Sequence, residues 1–146
     1  MRMPRSLAAV VPLLLIACGS STPTTPSTTT TTAPVAPASI AETYHSTLPG
    51  GGVKFYSFNV VANGTVNVTL GSLTGPGVAE DVTVDLALGR PAAMGCNPST
   101  TVTVSTATAA PHITGTYAPG VYCVRVADTT GSLPAPASFS IAIEHS

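Results

Sequence analysis

Between residues 82 and 88 the apolar side chains Val82, Val84, Leu86 and Leu88 alternate with Thr83, Asp85 and Ala87. Side chains on an extended chain point to opposite faces in turn, so such a segment has one dry side and one wet side, and only a sheet can use it. The same two-residue period recurs at Tyr56, Phe58 and Val60, at Val66, Val68 and Leu70, at Tyr122, Val124 and Val126, and at Phe139, Ile141 and Ile143. Charged residues make up 8% of the chain, and Thr and Val take the places that Glu, Lys and Leu hold in helical proteins. The chain is expected to be all-β.

Gly and Pro divide these runs. Strands are expected over 41–48, 53–61, 65–70, 82–88, 101–105, 112–117, 121–127 and around 139–143. Pro49-Gly50-Gly51-Gly52 reads as a turn, and Ala118-Pro119-Gly120 as another. Asn63-Gly64 suits the positive φ of a type I′ turn, which predicts a hairpin joining 53–61 to 65–70. Loops are expected over 71–77 and over 89–99, the second carrying Cys96. Seven or eight short strands of this kind make a single antiparallel β-sandwich.

The amino terminus follows other rules. Arg2 and Arg5 precede an apolar run over 7–17, which is shorter than the roughly 20 residues of a membrane-spanning helix. Leu15-Ile16-Ala17-Cys18 resembles the bacterial lipobox, which implies cleavage before Cys18, lipid on its thiol and an exported lipoprotein held to a membrane of the cell envelope. Gly19 is not the aspartate that retains lipoproteins at the inner membrane, which favours the outer membrane if the source is Gram-negative. Residues 20–37 contain eight Thr, three Ser and four Pro, with no periodicity from which a core could be built. They read as a low-complexity linker, roughly 55 Å long as polyproline II and roughly 25 Å as a coil. The expected layout is a signal peptide over 1–17, a lipidated cysteine with its linker over 18–38, and a sandwich over 39–146.

The chain has three cysteines. With lipid on Cys18, Cys96 and Cys123 remain as a pair, and an oxidising compartment makes a disulfide the expectation. Its loop would contribute roughly 3.5 kcal/mol in the chain-entropy account. A redox role lacks the Cys-x-x-Cys spacing and a helix to lower a thiol pKa.

Tyr56-Ser57-Phe58-Asn59-Val60, the run from Gly64 to Leu70, Val84-Asp85-Leu86-Ala87-Leu88, the stretch Pro119-Gly120-Val121-Tyr122-Cys123-Val124-Arg125-Val126 and Phe139-Ser140-Ile141-Ala142-Ile143 together resemble the bacterial pre-peptidase C-terminal (PPC-like) domain, from about residue 40 onward. The resemblance implies a jelly-roll-like sandwich that is not itself catalytic and usually accompanies a secreted enzyme. No enzyme domain is seen in this sequence, and the cysteine pair lies outside the family's pattern.

The residues carry little chemistry of their own. From Cys18 on, Lys54, Arg90 and Arg125 stand against Glu42, Glu80, Asp81, Asp85, Asp128 and Glu144, a formal charge of −3 that excludes a nucleic-acid partner. His45, His112 and His145 are isolated, and no zinc helix, nucleophile elbow or phosphate loop is present, so no enzyme activity and no cofactor are expected. Asp81 and Asp85 on one strand would stand roughly 13 Å apart, too far for one calcium ion. Glu80 and Asp81 could meet Asp128 at one end of the sandwich, a weaker calcium candidate. Of seven aromatics, Tyr56, Phe58, Tyr122 and Phe139 belong to the core pattern, which leaves Tyr44, Phe55 and Tyr117 as candidate ligand-facing rings. The expected function is structural or interactive, with an envelope protein or glycan as partner. The alternatives are a glycan-binding module and an accessory domain to a hydrolase encoded elsewhere.

Overall fold

A computed structural model describes residues 38–105 and 107–146. The expected leader, Cys18 and all but the last residue of the linker lie outside the described residues. Eight strands follow one another: β1 (Ile40–Leu48), β2 (Val53–Val60), β3 (Gly64–Thr74), β4 (Val84–Ala92), β5 (Gly95–Val104), β6 (Ile113–Tyr117), β7 (Gly120–Ala127) and β8 (Ala137–His145). They form two antiparallel sheets of four, the first in the order β1-β8-β3-β6 and the second in the order β2-β7-β4-β5. This is the all-β sandwich that the alternation and turns lead one to expect, in the jelly-roll-like form that the resemblance implies.

The order follows from nested pairing. β4 pairs with β5, β3 with β6, β2 with β7 and β1 with β8, as in one long antiparallel ribbon doubled back at the β4–β5 tip. Rolling that ribbon brings β3 beside β8 and β4 beside β7, which completes each sheet. Side chains at alternate positions then meet between the sheets. Val66, Val68, Leu70, Phe139, Ile141 and Ile143 from the first sheet face Val84, Leu86, Leu88, Tyr122, Val124 and Val126 from the second, and none is more than 5% exposed. Phe58 and Val60 are buried with them, and Tyr56 packs at the rim.

Several sequence expectations are corrected. Asn63-Gly64 does not close a hairpin: β2 and β3 lie in different sheets, and the segment between them crosses the sandwich. Its polar backbone is met by the carboxyl-terminal residue, since Val61 N–H donates to the Ser146 carbonyl at 2.8 Å and Ser146 Oγ donates to the Ala62 carbonyl at 2.8 Å. Residues 71–74 are strand, because β3 passes a bulge between Leu70 and Ser72 and continues along β8. The expected loop over 89–99 is the β4–β5 hairpin itself, with Ala92 paired to Gly95. Gly89 makes that run workable, since a Cβ there would lie 1.9 Å from the Asn97 carbonyl oxygen. Ala87, expected to face water, is fully buried, in register between Arg125 and Thr101, whose larger side chains flank its methyl group. Asp81 precedes β4, so it does not share a strand with Asp85.

Cys96 and Cys123 form the expected disulfide, with Cα atoms 5.7 Å apart. Cys123 sits on the outer face of β7 opposite Gly89 of β4, so the bond ties the start of β5 across β4 to β7. Leu86→Ala is expected to lower stability by about 2–5 kcal/mol in chemical denaturation, whereas Thr101→Ala on the outer face should change it by less than about 0.5 kcal/mol. Equal losses in the two variants would show that the inner face is wrongly assigned. Replacing both Cys96 and Cys123 by Ser should cost roughly 2–4 kcal/mol, read in the same assay.

Candidate functional site

Asp128 follows β7 in the sequence Asp-Thr-Thr-Gly, a pattern in which a carboxylate accepts from backbone amides just ahead of it. Its Oδ1 accepts from Ser132 N–H at 2.8 Å and from Ser132 Oγ at 3.2 Å. Its Oδ2 accepts from Leu133 N–H at 3.1 Å and from Gly51 N–H at 2.8 Å, and Gly51 holds φ at 66° in the β1–β2 turn. Ser132 Oγ also donates to the Thr83 carbonyl ahead of β4. One side chain, 1% exposed, therefore holds two crossings at one end of the sandwich, and Ser132 links them to a third. Burial pushes its pKa up, but the amides of Gly51, Leu133 and Ser132 and the Ser132 hydroxyl outweigh that and hold it below its ordinary value.

A second polar cluster closes the opposite end. His145 Nε2 lies 3.0 Å from Glu42 Oε1, which ties the carboxyl-terminal strand to β1. Tyr44 donates its hydroxyl hydrogen to the other oxygen of Glu42. That bond, opposed by partial burial and aided by His145, holds the Glu42 carboxyl below its ordinary value. Tyr44 is pushed up to about 12, by burial first and by the carboxylate second. His145 is buried, and its imidazole packs on Phe58 at 5.1 Å between ring centroids. His112 has a comparable structural task, since its Nδ1 accepts the Leu70 amide hydrogen at 3.1 Å where β3 has run past β6.

The three candidate aromatics are not brought together. Tyr44 stacks on Tyr56 at 4.5 Å, and Tyr117 stands edge-on to Tyr122 at 5.2 Å, both packed against the core. They belong to β1 and β6, at opposite edges of the first sheet. Phe55 alone of the three is open to solvent, 47% exposed on the outer face of the second sheet. Glu80 and Asp81 are exposed ahead of β4, and Asp128 is occupied by its four donors. Among the described residues no three His, Cys, Asp or Glu side chains gather as metal ligands would.

What surrounds Phe55 was not legible in the sequence. The disulfide holds the β4–β5 hairpin over the outer face, with Gly95 under the Phe55 ring. Val53, Phe55, Met94, Gly95, Cys96 and Arg125 line a shallow cleft of about 170 Å³. Val53 is 53% exposed and Met94 is 96% exposed. The Nε of half-buried Arg125 is buried without a hydrogen-bond partner. Arg90 differs: its guanidinium lies 3.9 Å from the Tyr122 ring centroid and donates to the Val121 carbonyl and the Tyr122 hydroxyl. A single cation at an outward position of an apolar strand was the available signal for Arg125. Another depression, of about 290 Å³, lies at the Asp128 end between Leu73, Val78, Ala79, Glu80, Ser105 and Ala107, and offers one carboxylate.

The two depressed carboxyl pKa values fix the sign of the acid response. Asp128 and Glu42 bind protons less readily in the folded chain than in the unfolded one, so their contribution is complete above their ordinary values of 3.8 and 4.5 and is lost as pH falls through the folded values. The melting temperature is expected to drop on acidification below about pH 5, and Asp128→Asn combined with Glu42→Gln should flatten that drop. An equally steep drop in the double variant would refute the assignment. Asp128→Ala, which orphans the Gly51, Ser132 and Leu133 amides, should cost about 2–4 kcal/mol at neutral pH.

No family model matches the sequence, and no curated protein matches it. Among solved structures, the crystal structure of Aeromonas hydrophila PliG, a periplasmic lysozyme inhibitor of g-type lysozyme, is similar over 76% of this chain and 90% of that one, at 13% identity and a TM-score of 0.45. At that distance neither fold nor function is carried from one chain to the other.

Proposed function

We propose that this protein is an exported lipoprotein, anchored through Cys18, whose sandwich domain binds a partner at the envelope surface and carries no catalytic chemistry. The anchor reading rests on Leu15-Ile16-Ala17-Cys18 behind a basic, apolar leader, on the Thr- and Pro-rich stretch that follows, and on the pairing of the other two cysteines. Two acyl chains hold a protein stably on a bilayer where one does not, at about 0.8 kcal/mol per buried methylene. The PPC-like strand motifs support a domain that accompanies other activities.

The observation that carries the binding reading is the division of labour among the side chains. Several groups with catalytic potential are taken up by the fold: Asp128 by the β1–β2 and β7–β8 crossings, Glu42 with His145 by the terminal strands, and Asp85 by the Thr103 and Thr129 hydroxyls. The unsatisfied surface is instead the exposed apolar group Val53, Phe55 and Met94. Such a patch on a small domain marks an interaction site.

Metabolic labelling with a palmitate analogue tests the anchor. The wild-type protein is expected to take the label and partition with membranes, and Cys18→Ser is expected to lose both. An unlabelled wild-type protein would remove the anchor from the proposal.

A further inference from the structure

We infer that the cleft between β2 and the β4–β5 hairpin receives a polypeptide partner through an apolar side chain flanked by a carboxylate, with Phe55 and Met94 taking the side chain and Arg125 the charge. The inference rests on the binding reading above and names the surface and the chemistry of its partner. The first support is charge. Lys54, Arg90 and Arg125 are the Lys and Arg residues of the described chain, and all three lie in the second sheet. The strands of the first sheet carry Glu42 and Glu144 and no Lys or Arg. Of the three, only Arg125 stands on the outer face beside its cross-strand partner Phe55, since Lys54 pairs with Val126 of the inner row and Arg90 lies against the ring of Tyr122, so the charge beside the exposed apolar side chains is that of Arg125.

Within that side, Arg125 is the cation left to a partner. Arg90 is committed to Tyr122 and Val121, and Asp85, the carboxylate on the outer face of β4, accepts from Thr103 and Thr129. Among the described residues no carboxylate pairs with Arg125, and its buried Nε lacks an acceptor. A guanidinium that lines a cleft and has no carboxylate of its own favours one from a partner, whose planar pair of oxygens matches its donors.

Size and openness select a polypeptide. The cleft of about 170 Å³ admits one large side chain and falls short of the roughly 300–1,000 Å³ of a small-molecule pocket. One anchoring side chain in a pocket, surrounded by flatter apolar contacts such as Val53, is how protein interfaces concentrate their energy. β2 is an edge strand, so the cleft is open along one side to an extended chain. A glycan would need further exposed rings, and Tyr44 and Tyr117 are packed elsewhere.

The test uses the full-length protein in phosphatidylcholine nanodiscs as bait for a display library of random peptides, with winners resynthesised and titrated by fluorescence anisotropy. Enriched peptides are expected to place an aromatic or large aliphatic residue within two positions of Asp or Glu. Phe55→Ala and Arg125→Gln should each weaken them about tenfold or more, with Arg125→Lys intermediate and Asn67→Ala on the first sheet without effect. Melting temperatures are read alongside, and Met94→Lys, at a fully exposed position, provides a variant that cannot act through the core. Enrichment no greater than on empty nanodiscs, winners lacking an acidic residue, or affinities indifferent to Phe55, Met94 and Arg125 would each overturn the inference. So would glycan binding or self-association lost in Phe55→Ala, since each assigns the cleft to another occupant. Repeating the selection on Cys18→Ser without nanodiscs separates the cleft from the anchor, because failure of the lipid assay leaves this result untouched.

Discussion

Burial of alternate side chains between two facing sheets is the constraint on which the rest of this domain depends. Neither sheet has a dry side until the other covers it, so Val66, Val68 and Leu70 are stable on β3 only because Leu86, Leu88 and Val124 stand across from them. The hydrophobic gain is non-directional, at about 25 cal/mol per Å² of apolar area removed from water. It fixes which way side chains point and leaves open which strands are neighbours. Directional bonds decide that, and nested antiparallel pairing satisfies them with seven links between strands, one a hairpin and six that cross between the sheets.

Crossings are the weak point of such a fold, because their backbone groups leave the ladders and must find partners elsewhere. Two polar devices supply them. At one end the Asp128 carboxylate gathers amides from the β1–β2 and β7–β8 crossings, and Ser132 reaches on to Thr83. At the other end Ser146 meets Val61 and Ala62, while His145 meets Glu42. The ionisable residues Asp128, Glu42 and His145 are thereby spent on closing the sandwich. The disulfide acts elsewhere, holding the β4–β5 tip against the outer face and so shaping a cleft that combines exposed apolar side chains with a cation that no carboxylate pairs among the described residues.

Legibility in the sequence followed the range of the physics. Phe58, Val60, Tyr122, Val124, Phe139 and Ile141 face inward as their alternation requires, because strand periodicity is local. Asn63-Gly64 misled for the same reason: two residues that suit a tight turn equally suit a crossing, and only the distant Ser146 decides between them. The loop expected over 89–99 hid a hairpin because Gly89, Pro91 and Gly95 look like loop residues, yet Gly89 is needed where a Cβ would strike Asn97. Phe55 was legible as a leftover ring, whereas Met94 and Arg125 were not, since they reach the same cleft from two other strands' surroundings.

Composition and two-residue periodicity thus determined locally that the chain forms an all-β sandwich and most of the residues that line its core, and cysteine arithmetic led to the pairing of Cys96 with Cys123 that the structure shows. Strand order, the hub role of Asp128, the burial of Ala87 and the convergence of Phe55, Met94 and Arg125 were decided in three dimensions. The physical reason is that backbone edges are chemically alike. One strand's donors and acceptors match any other's, so partners are chosen by how the whole ribbon rolls, a property that no single segment carries.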